Sequence, residues 1–364
     1  MPTTLLKEQW SEQLDKRGFS LNCEVQVINT VITRDWSTDL LIIDEIHRTG
    51  ASELSKVFMK VTYKLILGLT ATFERLDGRH ELIRKYCPIC ETVSITECLL
   101  NGWVSPYKEY LVLIDVDDID VYNTYNKEFT ECYEYFNFDF NLIMSLTGKY
   151  GHIECARLRD ERCPNGTEEE RKAIFRSIKF KSQRFMQLMQ ARKGFINNHP
   201  KKIEIARKII EARPFSKIIT FSNNIKMAES IGMGGKVYTG KVSKKKGRTT
   251  IEEFNQQSVG VLHTVRKADE GMDIAGLSVG IVLGTDSGKT KARQRLGRVI
   301  RREEGKQAEM FYVILDNTVE SKWFTESHKG QPYTIIDEGG LDDVLNGKEP
   351  RPYTRKIRDF QFRY

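Results

Sequence analysis

No run of apolar residues in this 364-residue chain approaches the roughly 18 to 20 that a bilayer-crossing helix needs, and no basic stretch followed by an apolar one opens it. The sequence therefore reads as a soluble intracellular protein, cytoplasmic if its source is bacterial or viral. Cysteine is sparse and odd in number, seven in all, which argues against the paired framework of a small secreted domain. Cys87 and Cys90 have the CxxC spacing of half a zinc site, and Cys155 and Cys163 could complete it, but a second CxxC is lacking and ordinary thiols are expected. Disordered-class bias is lacking too, since 40% apolar and 29% charged residues are globular values. Acidic and basic residues are nearly balanced, 50 against 57; the net charge of +7 favours anionic partners such as nucleic acid without demanding them.

What is present begins with length, which exceeds a usual single core and suggests two domains. Short apolar runs of the kind buried in parallel sheets fall at Leu40–Ile43, Leu65–Leu67, Lys217–Phe221, Val259–His263, Val279–Leu283 and Met310–Leu315. Amphipathic helices alternate with them, such as Lys201–Ala212, with Ile203, Ala206, Ile209 and Ile210 on one side and Pro214 beyond the end. Such alternation predicts an α/β fold with two parallel sheets. The middle differs. Tyr122, Tyr125, Phe129 and Tyr133 fall at helical spacing and read as helix core rather than a base-stacking platform, and Thr167–Asn197 is helical and basic.

The stretch LLIIDEIHRTG, Leu40–Gly50, runs apolar residues into Asp44 and Glu45. Carboxylates at the end of a buried strand are costly unless something cationic or hydrogen bonding holds them. In open parallel sheets ligands bind beyond the carboxyl ends of the strands, so the pair reads either as a magnesium-nucleotide site or as a solvated strand end. GLTAT, Gly68–Thr72, follows the next apolar strand, and its hydroxyls at Thr70 and Thr72 are placed to hydrogen bond back toward the DEIH loop. In QRLGRVIR, Gln294, Gly297, Arg298 and Arg301 fall at i, i+3, i+4 and i+7 on one helical face, while Leu296, Val299 and Ile300 turn to the core. Aligned guanidiniums offer planar donors suited to phosphate oxygens. Alone this is a basic helix in solvent; the order DEIH, TAT, QRLGRVIR argues for more.

Six segments in order resemble the motifs of superfamily 2 helicases, the DEAD/DEAH-box group broadly and the UvsW, RecG and XPB-like DNA helicases in particular. PTTLLKEQW at Pro2–Trp10 is similar to motif Ia, DEIH at Asp44–His47 to motif II, and LTATFERLDG at Leu69–Gly78 to motif III. IITFSNN at Ile218–Asn224, ADEGMDI at Ala268–Ile274 and QRLGRVIR at Gln294–Arg301 are similar to motifs IV, V and VI. The likeness weakens between about 112 and 195. It implies two tandem RecA-like parallel-sheet domains with a helical connection: an incomplete first domain over 1–111, the connection over 112–200, the second domain over 201–320 and a basic extension over 321–364.

The resemblance also implies roles. Asp44 holds Mg2+ through water, Glu45 is the general base for ATP hydrolysis, and His47 with Thr70, Ala71 and Thr72 couples nucleotide to the bound strand. Arg298 and Arg301 are the arginine fingers, with Gln294 beside them, and Gly271 and Asp273 touch nucleotide and nucleic acid. The GxGKT loop that the family carries upstream of motif Ia is absent from the sequence. A gene start at an internal methionine, a split gene with a separate N-terminal fragment, or loss of ATPase activity would each account for it. GTDSGKT at Gly284–Thr290 is no substitute, having three residues between its glycines where that loop needs four.

GKVSKKKGR at Gly240–Arg248 places Lys244, Lys245, Lys246 and Arg248 together without an acid, and reads as a solvated face or a phosphate contact. The C-terminal RPYTRKIRDFQFRY reads as packing on the body or touching nucleic acid. The expectation is an ATP-driven helicase or translocase on nucleic acid, DNA before RNA. The alternatives are an ATPase-deficient binding module, or the motor of a restriction or repair complex with partner subunits.

Overall fold

A computed structural model describes residues 1–75, 77–265, 274–285 and 288–354. Among them are nine strands in two sheets. β1 (Trp36–Asp44) and β2 (Val61–Leu69) form a parallel pair in which Leu40 lies opposite Leu65, Ile42 opposite Leu67 and Asp44 opposite Leu69. β3 (Tyr107–Ile114), β4 (Lys217–Ser222), β5 (Lys236–Thr239), β6 (Gly260–Val265), β7 (Val279–Val282), β8 (Ala308–Leu315) and β9 (Thr334–Ile336) form a second sheet. Its order is β5-β6-β4-β7-β8-β3-β9, and every pairing is parallel.

The longer helices are α1 (Thr4–Lys16), α2 (Ile119–Glu134), α3 (Phe140–Thr147), α4 (Gly151–Arg162), α5 (Glu168–Asn198), α6 (Pro200–Glu211), α7 (Lys244–Asn255), α8 (Lys289–Val299), α9 (Val319–Ser327) and α10 (Glu338–Leu345). None is long and apolar enough to cross a membrane.

The second sheet is buried on both faces, as continuous apolar strands require. Ile218, Ile281, Phe311 and Val313 meet Ile205 and Ile209 of α6 on one side. Ile219, Phe221, Val282 and Tyr312 meet Leu296 and Val299 of α8 and Phe324 of α9 on the other. Lys202 and Glu320, both fully buried, join α6 to α9 through a 2.7 Å ion pair; Lys202 Nζ also donates to the Leu283 carbonyl, and Thr285 Oγ1 to Glu320.

The first sheet departs from expectation. Ile43 packs with Ile46, Val57, Phe58 and Ile83, and Val61 at the start of β2 joins them, but Leu40, Ile42, Leu65, Leu67 and Leu69, which share the face opposite Ile43, are exposed. The helices of this part cover one face only.

The expected domain limits also shift. The boundary at 111 cuts through β3, which lies between β8 and β9 in the second sheet. The segment expected as a basic extension from 321 begins inside α9 and supplies β9 and α10, whose Leu341 and Val344 are buried against that sheet. Both were hidden because pairing partners some 200 residues apart leave no local signal.

The connecting region is helical over α2 to α5. Its aromatic stripe is core: Tyr122 is buried and Phe129 stacks on Phe185 with centroids 4.5 Å apart. Cys155 is buried in this cluster, whereas Cys87 packs under the first sheet.

Candidate functional site

β1 delivers Asp44 at its carboxyl end, and the chain then turns sharply, with Glu45 at φ 52 and ψ 47. A left-handed conformation is uncommon for a residue with a Cβ and is held here by a hydrogen bond from the Glu45 amide to Asp44 Oδ1 at 3.0 Å. The turn points two adjacent carboxylates the same way. Burial and the charge of Glu45 raise the Asp44 carboxyl above its ordinary range. Glu45 moves the other way, because His47, Gln294 and Arg48 favour its ionised form against burial.

His47 sits at the centre of a polar relay. The Thr70 hydroxyl donates to the Thr72 carbonyl at 3.0 Å, so toward His47 Nδ1, 2.9 Å away, its oxygen acts as acceptor and Nδ1 carries the hydrogen. Glu45 Oε2 stands 3.2 Å from the same nitrogen, an electrostatic contact that favours its ionised form, but it has no hydrogen-bond partner among the described residues. Thr70 thus bonds back toward the DEIH loop as expected. Thr72 does not: its buried hydroxyl has no partner, and its backbone bonds to Thr70 instead.

α8 brings the second half of the chain to this strand end. Gln294 Nε2 donates to Glu45 Oε1 at 3.3 Å, and Arg293 Nη1 donates to the Ala71 carbonyl at 2.8 Å. Asp44, Glu45, His47, Gln294, Gly297, Arg298 and Arg301 line one cleft of about 730 Å³. The helical face expected to carry both arginines stops short, since α8 ends at Val299. Arg301 is instead held by a strand-like bridge to Val104, with its carbonyl accepting from Ser105 Oγ at 2.9 Å. The helix ends where Ile300 turns into the core.

Several cleft residues were not foreseen. Arg293, beside the cleft, lies off the i, i+3, i+4 face, and its contact with Ala71 exists only between the two halves. Gln9, Trp10 and Gln13 of α1, and Arg17 just past its end, also line the cleft. Their spacing along the opening helix was a readable signal. Of the basic run, Ser243 caps α7 by accepting from the Lys246 amide. Lys245 and Lys246 are exposed in its first turn, and Lys244 begins the helix. Arg248 is already engaged, with Glu252 at 2.8 Å and with Glu8 of α1 at 3.5 Å. Gly271 and Asp273 lie outside the described residues, as does part of GTDSGKT, whose Lys289 opens α8.

The donor set fits a divalent cation carried on phosphate. Asp44 makes no side-chain ion pair among the described residues, although the Met1 ammonium and His47 act on it from nearby, and Glu45 Oε2 beside it has no hydrogen-bond partner and can accept from a metal-bound water. No group of three or more His, Cys, Asp or Glu able to hold a metal is found among the described residues, so phosphate oxygens and water would have to complete the shell, as magnesium prefers.

Residues 3–75 match the family described as "Type III restriction enzyme, res subunit", and residues 201–303 match "Helicase conserved C-terminal domain". A DNA 3'-5' translocase, XPB2 of Sulfurisphaera tokodaii, is 25% identical over 350 residues, covering 88% of this chain and 72% of that protein. A putative ATP-dependent RNA helicase of Acanthamoeba polyphaga mimivirus is 24% identical over 83% of this chain and 47% of its own length. A putative helicase of a Sulfolobus islandicus filamentous virus is 25% identical over 77% and 43%. The chain thus spans less than half the length of two of the curated relatives it matches. Among solved structures, the Pyrococcus furiosus Hef helicase domain superposes with a TM-score of 0.50 at 15% identity, over 90% of this chain and 88% of that one. Saccharomyces cerevisiae Dbp5 bound to RNA and ADP BeF3 gives 0.54 at 12%, over 95% and 78%. At these identities the structural likeness speaks for the fold, two parallel-sheet domains facing across a cleft.

Proposed function

We propose that the chain is a superfamily 2 helicase-type motor, an ATP-driven translocase on nucleic acid with DNA preferred over RNA, a reading supported by its matches to two helicase-related family models and by relatives named as a DNA translocase and putative helicases. The observation that carries this is the cleft in which Asp44 and Glu45 of one half share walls with Gln294, Arg298 and Arg301 of the other, joined by the Gln294–Glu45 hydrogen bond. The preference for DNA is supported by the DNA translocase covering 88% of the chain.

In this reading Asp44 holds magnesium through water, and the ion, when bound, neutralises charge developing on the phosphates. Glu45, kept ionised by His47, takes the proton of the attacking water. Arg298 and Arg301 meet the phosphates from the second domain, so hydrolysis depends on the two halves being closed. His47, Thr70 and the Ala71 carbonyl link the nucleotide side to Arg293 of α8, which gives closure a route to the bound strand. Lys244, Lys245, Lys246 and Arg248 contribute phosphate contacts at the start of α7. Cationic residues in a helix's first turn oppose its dipole, a conflict that a bound phosphate relieves.

A second reading is favoured by one sequence fact: residues 1–364 contain no GxxxxGK[ST] loop. It makes the chain a nucleic-acid-binding module that does not itself hydrolyse ATP. ATPase assays with single-stranded DNA, duplex DNA and RNA decide between them. In the first reading DNA stimulates turnover, Glu45→Gln lowers kcat by about 100-fold or more and Arg298→Ala by about 1,000-fold. Strand binding with no ATP turnover in the unsubstituted chain selects the second. Turnover unchanged in Glu45→Gln removes the base assignment.

A further inference from the structure

A second cavity, of about 360 Å³, lies where α2, α3 and α5 of the helical region meet α9 of the seven-stranded sheet. It falls outside both matched family regions. Its walls are aromatic, with Phe129, Phe140, Phe185 and Trp323 among them. Its charge is unbalanced: Arg192, Lys193 and Lys322 face one carboxylate, Glu326, and Lys322 lies 3.9 Å from that carboxylate.

Arg192 is the unusual member. It is only 8% exposed, its guanidinium lies 4.1 Å from the Phe129 centroid, and one Nη donates to the Tyr122 hydroxyl at 3.4 Å. No carboxylate pairs with it among the described residues, and its buried Nε has no hydrogen-bond partner. A buried cation without a counter-ion is costly, and water alone does not return what a carboxylate or phosphate would. An aliphatic occupant would fill the cavity and leave that charge unanswered. A purely anionic one would leave the aromatic faces bare. A nucleotide supplies both groups, a flat base for the rings and a phosphate for the guanidinium.

Position agrees. α9 follows the carboxyl end of β8, so Val319 and the part of the cavity it lines lie at that end of the sheet. The two walls are tied together there, because the Val319 amide donates to the Tyr122 hydroxyl at 3.0 Å.

We infer that this cavity captures one unstacked nucleotide of a bound strand, its base against Trp323 and Phe140 and its phosphate on Arg192 and Lys193. A pocket of this kind would hold a displaced strand, or mark each step along a tracked one. The inference rests on the nucleic-acid reading above and adds a site that reading does not use.

The test is photo-crosslinking of the full chain to a single-stranded oligonucleotide carrying 5-iodouracil, with adducts mapped by mass spectrometry, beside a salt titration of binding. Adducts are expected on Trp323, Phe140 or Phe129. Trp323→Ala should weaken binding by about tenfold, and the exposed Lys193→Glu should lower the salt slope by about one. Arg192→Met removes the buried charge and should weaken binding likewise; Lys193→Glu keeps the test valid if that variant does not fold. Strand binding with adducts only elsewhere, unchanged in Trp323→Ala and Lys193→Glu, overturns the cavity and leaves the nucleic-acid reading standing. Failure to bind any strand overturns both. Displacement by an acidic aromatic peptide but not by excess unlabelled strand overturns it in favour of a protein partner.

Discussion

At the scale of single residues, the chemistry of this chain depends on how burial and neighbours divide charge between groups that look alike in the sequence. Asp44 and Glu45 are adjacent carboxylates, yet one is pushed up by burial and the other held down by His47. That these residues matter was readable, because a strand end bearing a carboxylate pair is a local pattern. Their division of labour was not, because His47 reaches Glu45 only through the turn at φ 52. Glu109 offers a separate test. It is a residue of β3, 3% exposed, accepts from the Tyr312 hydroxyl at 3.0 Å, and burial pushes its carboxyl up to about 7. His328, its facing titratable neighbour at 4.0 Å, is driven down to about 4 by the same burial. The folded chain therefore keeps a proton on Glu109 that the unfolded chain releases near pH 4.5. Its stabilising effect is complete below that pH and is lost as pH rises through 7, on the order of 3 kcal/mol in all. His328 acts in the opposite sense, resisting the proton that the unfolded chain takes up below pH 6.5. Glu109→Gln should isolate the first effect, raising Tm relative to the parent several degrees more at pH 8 than at pH 5. An equal change at both pH values would remove this account.

At the scale of elements, the strands that the sequence announced and those it hid differ in one respect. β4, β7 and β8 are runs of β-branched and aromatic residues buried on both faces and declare themselves. β5 and β9 have only one buried position each, so they offer no apolar run to read, and are held by their neighbours in the sheet. Close packing around Gly280 in β7 involves both β8 and α8, because a Cβ there would overlap Met310 Sδ of β8 and lie 2.9 Å from Val299 Cγ2 of the helix. Gly280→Val should displace the Met310 side chain and push α8 outward, costing about 1–3 kcal/mol by overpacking. Because α8 carries Gln294 and Arg298, ATP turnover should fall well before the fold is lost, which assays beside thermal melts can read; a melt shift with unchanged turnover would contradict it. The first sheet is the opposite case. Two strands with one apolar face in solvent are marginal. Amides of β1 and β2 should exchange at least tenfold faster than those of β4, β7 and β8 in native-state hydrogen exchange. Equal protection of both sheets would show that this face costs the protein little.

At the scale of the whole molecule, function depends on two halves meeting. Beyond the Gln294–Glu45 and Arg293–Ala71 contacts, Arg248 at the start of α7 reaches Glu8 of α1, so the basic helix is tethered across the chain through one residue while Lys245 and Lys246 face solvent. Lys245→Glu with Lys246→Glu should weaken nucleic-acid binding alike for all sequences and lower the salt slope by about two. A loss confined to one base sequence would assign these lysines a different role. What the sequence by itself determined was the α/β class, the position of most buried strands, the aromatic helix core and the chemical inventory of the cleft. Those follow from local periodicity and from charged residues at strand and helix ends, which any 10-residue window contains. Only the tertiary structure decided that β3 belongs to the second sheet, that Arg293 caps the Ala71 carbonyl, and that Arg192 is buried among aromatic rings without a counter-ion. Each of these is a contact between residues tens to hundreds of positions apart, and the free energy that selects it comes from burial in the assembled chain rather than from any preference of the segments that make it.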